Sequence, residues 1–313
     1  MTSRKAAKRA RHASMTRILK AGVVGSGVFG GYHAKKYAEM DGVQLVGIYD
    51  IHPERCFEMA GQLGAEAYGD LADLLAACDI VTVASPATTH AETALAALKA
   101  GRSVYVEKPL ATSLEDADRL IAEAAKQGVV LACGHQERVV SQAMGLLDIP
   151  EKPLRLEAVR KGTPSIRSKD VSVVLDLMIH DIDLALALTD AEPLTVEADG
   201  DRDEVRAEAT FDDGFIAGFV ASRNAEARER TMKIVYPSGT LEIDFITRAF
   251  TNTTPFQLNE AFTETPAGRD PLGTSVGGFV AAVRGLSPRP LVTGEEAARA
   301  LDLALAVEQA GGF

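Results

Sequence analysis

From residue 17 onward the chain alternates short apolar runs with helical patterns, and this alternation limits the possible folds more than any other feature. Ile18-Leu19-Lys20-Ala21-Gly22-Val23-Val24 reads as a buried strand stopped by glycine. A helical pattern follows from Phe29 to Met40, then a strand from Val43 to Tyr49 that ends at Asp50. Pro53 to Leu63 reads as a helix with proline in its first turn, where the missing N–H does no harm. Leu71 to Ala77 is a short helix, Ile80 to Ala84 a strand, His90 to Ala100 a helix and Ser103 to Glu107 a strand. Ser113 to Gln127 is an amphipathic helix that opens on a Ser-x-x-acid box, and Val129 to Cys133 closes the series as a strand. Strands and helices at this spacing build parallel βαβ units, which predicts a doubly wound α/β sheet of Rossmann type.

After about Gln136 the rhythm changes. Leu154 to Arg160, Val205 to Phe211, Phe215 to Ser222, Met232 to Tyr236 and Thr240 to Phe245 look like strands. Asp212-Asp213-Gly214 and Pro237-Ser238-Gly239 punctuate them as turns. Helices are expected near 173–188, 275–285 and 295–309, and the polar stretch 247–271 reads as a long loop. The expected organisation is a basic disordered tail over 1–16, a dinucleotide-binding domain over 17–135, and a substrate-binding and oligomerisation domain over 136–313. The last is an α+β domain with a large, mostly antiparallel sheet.

Charge and cysteine content narrow the setting. Residues 1–20 carry seven basic side chains and no acid, which leaves 26 basic against 44 acidic residues in the rest of the chain. So acidic a body is a poor nucleic-acid binder, since phosphate contacts need clustered Lys and Arg. Cys56, Cys78 and Cys133 stand far apart with no CxxC pair, so neither a disulfide framework nor a thiolate zinc site is expected. No membrane span and no signal peptide are expected, and the setting read from the sequence is cytoplasmic.

Gly25-Ser26-Gly27-Val28-Phe29-Gly30 matches GxGxxG between a strand and a helix. The first glycine allows the tight turn, the second lets backbone approach a pyrophosphate, and the third lets the helix pack on the strand. The helix N-terminus adds free N–H groups for the anion. Asp50, 20 residues past Gly30, can accept two ribose hydroxyls and would repel a 2′-phosphate, which favours NAD over NADP. Ser85, Pro86, Thr88 and His90 follow the third strand and line the same sheet edge. In Glu107-Lys108-Pro109 a lysine sits just past a parallel strand, where it can hydrogen-bond a substrate oxygen. The expected cofactor set is therefore Gly25, Gly27, Val28, Phe29, Gly30, Asp50, Ser85, Pro86, Thr88, His90, Glu107 and Lys108, joined by Gln136.

The stretch 171–184 is apolar enough to be buried, yet it holds Asp176, His180, Asp181 and Asp183. On a regular helix Asp176 and His180 are four apart and share a face. Buried ions must be paired or functional. A carboxylate beside an imidazole fixes its tautomer and raises its proton affinity, which suits proton abstraction from an alcohol near neutral pH. The structural alternative is a core histidine that holds a helix end. No metal site is expected, because HxxxH and HExxH are both absent.

Taken in order, GVVGSGVFGGYH, EKPLATSLEDADRL and VLDLMIHDIDLAL resemble the glucose–fructose oxidoreductase / inositol dehydrogenase / MocA (Gfo/Idh/MocA) family over nearly the whole chain from Arg17. The resemblance implies reversible hydride transfer between a carbon bearing a hydroxyl and a nicotinamide. It assigns catalysis to Lys108, Asp176 and His180: His180 takes the hydroxyl proton, Asp176 supports the imidazole and Lys108 polarises the oxygen. It also implies a homodimer or homotetramer. Cys133-Gly134-His135-Gln136-Glu137-Arg138, together with 170–183, resembles the branch of UDP-N-acetylglucosamine 3-dehydrogenases, which serve lipid A precursor modification. The sequence departs from that branch at Val139-Val140-Ser141, where Phe-Asn-Pro is expected. A diphosphate substrate needs basic partners, and Arg138, Arg160, Lys161, Arg167, Lys169, Arg223 and Lys233 lie in the second domain. Arg138, Arg160 and Arg167, with Lys108 and His180, form the expected substrate set. A dehydrogenase of free sugars or inositols, and a dinucleotide sensor without catalysis, are the competing readings.

Overall fold

The computed structural model describes residues 17–164 and 170–313, so the basic tail over 1–16, Arg167 and Lys169 lie outside the described residues. The described chain forms two compact units. The first comprises residues 17–110, 115–134 and 272–294, and the second comprises 111–114, 135–271 and 295–313.

The first unit is built on a six-stranded parallel sheet: β1 (Leu19–Val24), β2 (Val43–Tyr49), β3 (Glu66–Tyr68), β4 (Ile80–Val83), β5 (Ser103–Val106) and β6 (Leu131–Cys133). Its order is β3-β2-β1-β4-β5-β6. The order reverses direction between β1 and β4, so the open crevice of a doubly wound sheet lies where Gly25 and Ser85 leave those strands. The connecting helices begin and end where local chemistry dictates. Helix α1 (Val28–Glu39) starts straight out of the glycine turn. Helix α2 (Pro53–Leu63) has proline in its first turn and ends at Gly64 in the left-handed region, φ 67°. Helix α3 (Leu71–Ala77) is capped by the Asp70 carboxylate, which accepts the Ala72 N–H at 2.7 Å. Helices α4 (His90–Lys99) and α5 (Leu114–Gln127) follow β4 and β5.

The second unit opens with α6 (Gln136–Met144) and carries a seven-stranded sheet of β7 (Arg155–Lys161), β8 (Pro193–Gly200), β9 (Glu204–Phe211), β10 (Ile216–Ser222), β11 (Glu229–Tyr236), β12 (Gly239–Asp244) and β13 (Ala249–Asn252). The order is β13-β12-β11-β7-β10-β9-β8, and every pairing is antiparallel except β7 with β10. The turn from β9 to β10 uses Gly214 at φ 87°, and the Asp213 carboxylate accepts the Phe215 N–H at 3.0 Å. Between β7 and β8 lie a π-helical turn (Val174–Met178) and helix α7 (Ile179–Ala187).

Three expectations are corrected here. The stretch 247–271 is not a long loop: it holds β13, a 3₁₀ turn at Phe262–Glu264 and the short helix α8 (Pro266–Arg269). The β8 strand and α6 lack a distinct sequence signal, since β8 is half-exposed at an edge and its pattern is not a clean alternation. Nor does a single cut at 135/136 divide the chain, because residues 272–294 return to the first unit. Helix α9 (Pro271–Val283) places Val276, Phe279 and Val280 in a core with Leu19, Tyr37, Ile48 and Tyr105. The Phe279 ring meets Tyr105 edge-on at 5.8 Å, and the Tyr105 and Ser275 hydroxyls are 2.9 Å apart. A fully buried phenylalanine is worth about 1.5–3 kcal/mol, enough to hold the helix on this unit. Helix α10 (Gly294–Gly311) then belongs to the second unit from residue 295.

Candidate active site

In the first unit the glycine turn has the form its sequence demands. Gly25 sits at φ +101°, and a Cβ there would lie 2.6 Å from the Ala84 carbonyl oxygen. A Cβ on Gly30 would lie 1.8 Å from the Gly25 carbonyl oxygen, so helix and turn can approach only without one. A Cβ on Gly27 would meet nothing within 4 Å. Gly27, Val28 and Phe29 are exposed at the helix start, and α1 receives no side-chain cap. The first-turn N–H groups therefore face open space. The Asp50 carboxylate accepts the Ser26 N–H at 2.6 Å, the Ser26 hydroxyl at 2.7 Å and the His52 N–H at 2.8 Å, with Arg55 at 3.9 Å. Burial alone would raise its pKa, but these donors outweigh burial and hold it below the ordinary carboxylate value. Asp50 is thus ionised and fixed beside the turn. These residues fit a nicotinamide dinucleotide, with Gly27 leaving room for the pyrophosphate and Asp50 placed for the adenosine ribose.

Lys108 follows β5 and is pinned by its neighbours on both sides. The Glu107 N–H bonds the Val83 carbonyl at 2.9 Å, and the buried Glu107 carboxylate lies 2.7 Å from His33 Nε2. Burial pushes Glu107 up, but His33 and Lys108 together hold it below its ordinary value. Gly134 makes room for this carboxylate, since a Cβ there would lie 2.9 Å from both of its oxygens. On the other side a cis peptide joins Lys108 to Pro109, whose carbonyl is 2.7 Å from His90 Nδ1. His90 Nε2 is 2.9 Å from the Ser85 carbonyl.

Two members of the expected cofactor set are corrected by these contacts. His90 is buried with both ring nitrogens on backbone carbonyls, so it braces the loops after β4 and β5. Glu107 faces His33 in the interior and acts on the position of Lys108. Ser85, Pro86 and Thr88 stay at least partly exposed at the C-terminal end of β4. His33 was missed by sequence reasoning. Its signal was a histidine three residues past Gly30, on the helix face that Gly30 turns toward the sheet.

In the second unit Asp176 lies in the π-helical turn and His180 in the first turn of α7, and both are partly exposed. The uniform helix expected over 173–188 is thereby corrected: the Ile179 N–H reaches the Val174 carbonyl five residues back, which widens the turn. The His180 ring lies 6.3 Å from that of His135, nearly perpendicular to it. His135, buried just before Gln136, also faces Asp183, with Nδ1 3.9 Å from its carboxylate. The sequence offered His135 only as part of a motif. Gln136 is the first residue of α6, in the second unit.

The other acids of α7 are structural. Asp181 accepts two hydrogen bonds from Arg160, at 2.8 and 2.9 Å, and the third Arg160 nitrogen bonds Glu137 at 2.7 Å. Asp183 is fully buried and takes a fork from Arg138, which also bonds Glu296 at 2.8 Å. Arg138 and Arg160 are therefore corrected as substrate ligands, because interior carboxylates already occupy their nitrogens. Arg223 bonds the Val171 carbonyl at 2.8 Å, Lys161 bonds Glu229 at 2.8 Å and Lys233 contacts Glu242 at 2.9 Å. Among the described residues no group of three His, Cys, Asp or Glu side chains could hold a metal ion, and no helix is long and apolar enough to cross a membrane.

A glycine turn at the switch point of a parallel sheet, with an ionised acid at the end of the neighbouring strand, defines a dinucleotide-binding class. Comparison with known proteins agrees with that class and narrows it. Residues 19–135 match the oxidoreductase family with an NAD-binding Rossmann fold, and residues 160–242 match the Gfo/Idh/MocA C-terminal domain. The chain belongs to the Gfo/Idh/MocA family of oxidoreductases. It is 37% identical over 235 residues to the UDP-N-acetylglucosamine 3-dehydrogenase of Acidithiobacillus ferrooxidans, covering 73% of this chain and 74% of that one. A solved structure of that enzyme superposes with a TM-score of 0.85 at 34% identity, over 94% of this chain and 97% of that chain. The chain is also 35% identical over 194 residues to the myo-inositol 2-dehydrogenase of Thermotoga maritima, covering 58% of each.

Proposed function

We propose that this protein oxidises the 3-hydroxyl of UDP-N-acetylglucosamine to a ketone with NAD, a step of lipid A precursor modification. The observation that carries the reading is the 37% identity to a UDP-N-acetylglucosamine 3-dehydrogenase across nearly three quarters of both chains. A dinucleotide held by its pyrophosphate at the glycine turn and by its adenosine ribose at Asp50 would supply a nicotinamide as the hydride acceptor. His180 removes the hydroxyl proton, Asp176 supports the imidazole as it becomes cationic, and Lys108 hydrogen-bonds the oxygen where charge builds. Asp50 supports NAD over NADP, since an ionised carboxylate repels a 2′-phosphate. A cytoplasmic homo-oligomer using the free face of the seven-stranded sheet completes the reading.

A second reading is oxidation of an inositol or free sugar. It is favoured by the 35% identity to an inositol dehydrogenase and by the engagement of Arg138 and Arg160 with interior acids. The test is NADH formation, followed by absorbance, across UDP-sugars, free hexoses and inositols. Turnover of UDP-N-acetylglucosamine with a 3-keto product supports the first reading. Turnover confined to inositols or free hexoses rejects it.

A further inference from the structure

The helix-covered face of the seven-stranded sheet ends in two guanidinium groups set side by side. Along β11, Met232, Ile234 and Tyr236 are buried, and the two-residue period puts Arg230 on their face. Along β7, Leu156, Ala158 and Arg160 form the matching buried row. The antiparallel register sets Arg230 directly opposite Arg160. Like charges in such a position repel, so each needs an anion.

Arg160 has its anions: Asp181 through two nitrogens and Glu137 through a third. Arg230 lacks an equivalent. Among the described residues its one carboxylate contact is Glu137 Oε1 at 4.0 Å, and that same oxygen lies 2.7 Å from Arg160. Burial and then the charge of Arg160 both lower the pKa of Arg230, and the exposed Arg228 adds further like charge. Arg160 and Arg230 thus draw on the same Glu137 oxygen. The other basic side chains of this sheet named above, Lys161 and Lys233, each have a carboxylate within 2.9 Å. The Arg230 side chain is 41% exposed, so a solute can reach it. Its place relative to the candidate base is fixed within the unit. Arg160 holds Asp181, which follows His180 in the chain, and Arg230 stands one strand away, a step of about 4.8 Å.

We propose that Arg230 is the substrate-anion ligand of the second unit and takes an oxygen of a nucleotide diphosphate. The assignment rests on the nucleotide-sugar reading given under Proposed function and deepens it. A guanidinium presents a planar fork of donors that matches phosphate oxygens, and the bound anion supplies the counter-charge that Glu137 cannot give twice. A neutral polyol offers no such charge, so Arg230 separates diphosphate substrates from inositols.

The test is titration of the full chain with UDP by calorimetry, for the wild type and Arg230→Gln, with NADH binding measured on both as a control of the first unit. The expected result is a loss of UDP affinity of about tenfold or more, some 1.4 kcal/mol, with NADH affinity unchanged. In kinetics the loss should fall on KM for UDP-sugars and spare any turnover of neutral sugars. Equal UDP affinity in the two proteins overturns the Arg230 assignment and leaves the nucleotide-sugar reading standing. A wild type that binds NADH but no UDP overturns both. Should Arg230→Gln fail to fold, Arg230→Lys keeps the charge without the fork, and undiminished UDP affinity there overturns the assignment.

Discussion

Gly27→Ala separates cofactor binding from folding more cleanly than any other change in the turn. Gly27 has φ −72° and ψ −174°, a conformation alanine adopts freely, and a Cβ there meets nothing within 4 Å. Exchanging Gly for Ala at a compatible site gains about 0.4–1 kcal/mol by restricting the unfolded chain. Glycine is a somewhat better helix N-cap than alanine, which offsets part of that gain. The net change in stability should lie within about 0.5 kcal/mol of zero. Cofactor binding should respond differently, because the methyl group fills the space that a pyrophosphate needs against the backbone. A loss of about 1.4 kcal/mol or more corresponds to a tenfold rise in the NADH dissociation constant. Gly30→Ala is the converse control. Its Cβ would lie 1.8 Å from a backbone oxygen, so the turn must open, at a cost of about 3 kcal/mol or more. Thermal melts without cofactor and fluorescence titration with NADH read the two effects separately. If Gly27→Ala binds NADH as tightly as the wild type, the pyrophosphate does not lie against this turn, and the reasoning fails.

Asp50→Ala should weaken NAD more than NADP, measured as the ratio of their dissociation constants; an unchanged ratio removes Asp50 from the ribose. His180→Ala should lower turnover by ~10²–10⁴-fold while NADH binding stays intact, and unaltered turnover ends its assignment as base. Arg160→Met strips the buried Asp181 of both its charge-assisted hydrogen bonds and leaves it only the more distant charge of Arg230, which should cost about 3–5 kcal/mol in urea denaturation. Arg160→Met with Asp181→Leu should recover most of that loss, and equal losses would show that the pair is not the source. The folded Glu107 carboxyl has a pKa below the unfolded value of about 4.3, so its stabilisation is complete above that pH and fades as pH falls through the folded value. Glu107→Gln should therefore flatten the acid limb of Tm against pH, and a limb as steep as the wild type's would refute the pairing with His33.

Much of the first unit was legible because its signals are local. Helices α2 and α3 begin and end where Pro53, Gly64 and Asp70 say they should, and the glycine turn is encoded residue by residue. The three-residue strand β3 was missed because so short a segment carries no readable period. The return of α9 to the first unit was illegible for another reason. Its partners Tyr37 and Tyr105 are more than 170 residues away in sequence, and nothing in 271–283 says which core it fills. The same limit explains Arg138 and Arg160. Sequence showed basic residues in an acidic chain, but only the fold shows that Asp183 and Asp181 reach them first. His33 and Gly134 illustrate it again, since the Glu107 carboxylate joins residues whose positions in the chain give no hint of contact.

The π-helical turn follows from restraints at both of its ends. Upstream, the Val171 carbonyl is held by Arg223, the Ser172 hydroxyl by Glu308, and the Val173 N–H by the Arg202 carbonyl. Downstream, Asp181 is forked to Arg160 on β7 and Asp183 to Arg138 on α6, so α7 can neither rotate nor slide without stranding a buried carboxylate. Two residues apart, these acids point from different sides of the helix, and together they fix its rotation about its own axis. A residue in an α-helix occupies about 100° of turn and 1.5 Å of rise, so a chain one residue longer than the regular helix between such anchors must widen. Val174–Met178 is where it widens, and Asp176 lies within it. His180 thus stands on a helix whose orientation its neighbours have already set. The charges that look from sequence like rival catalytic groups are what hold the candidate base in place.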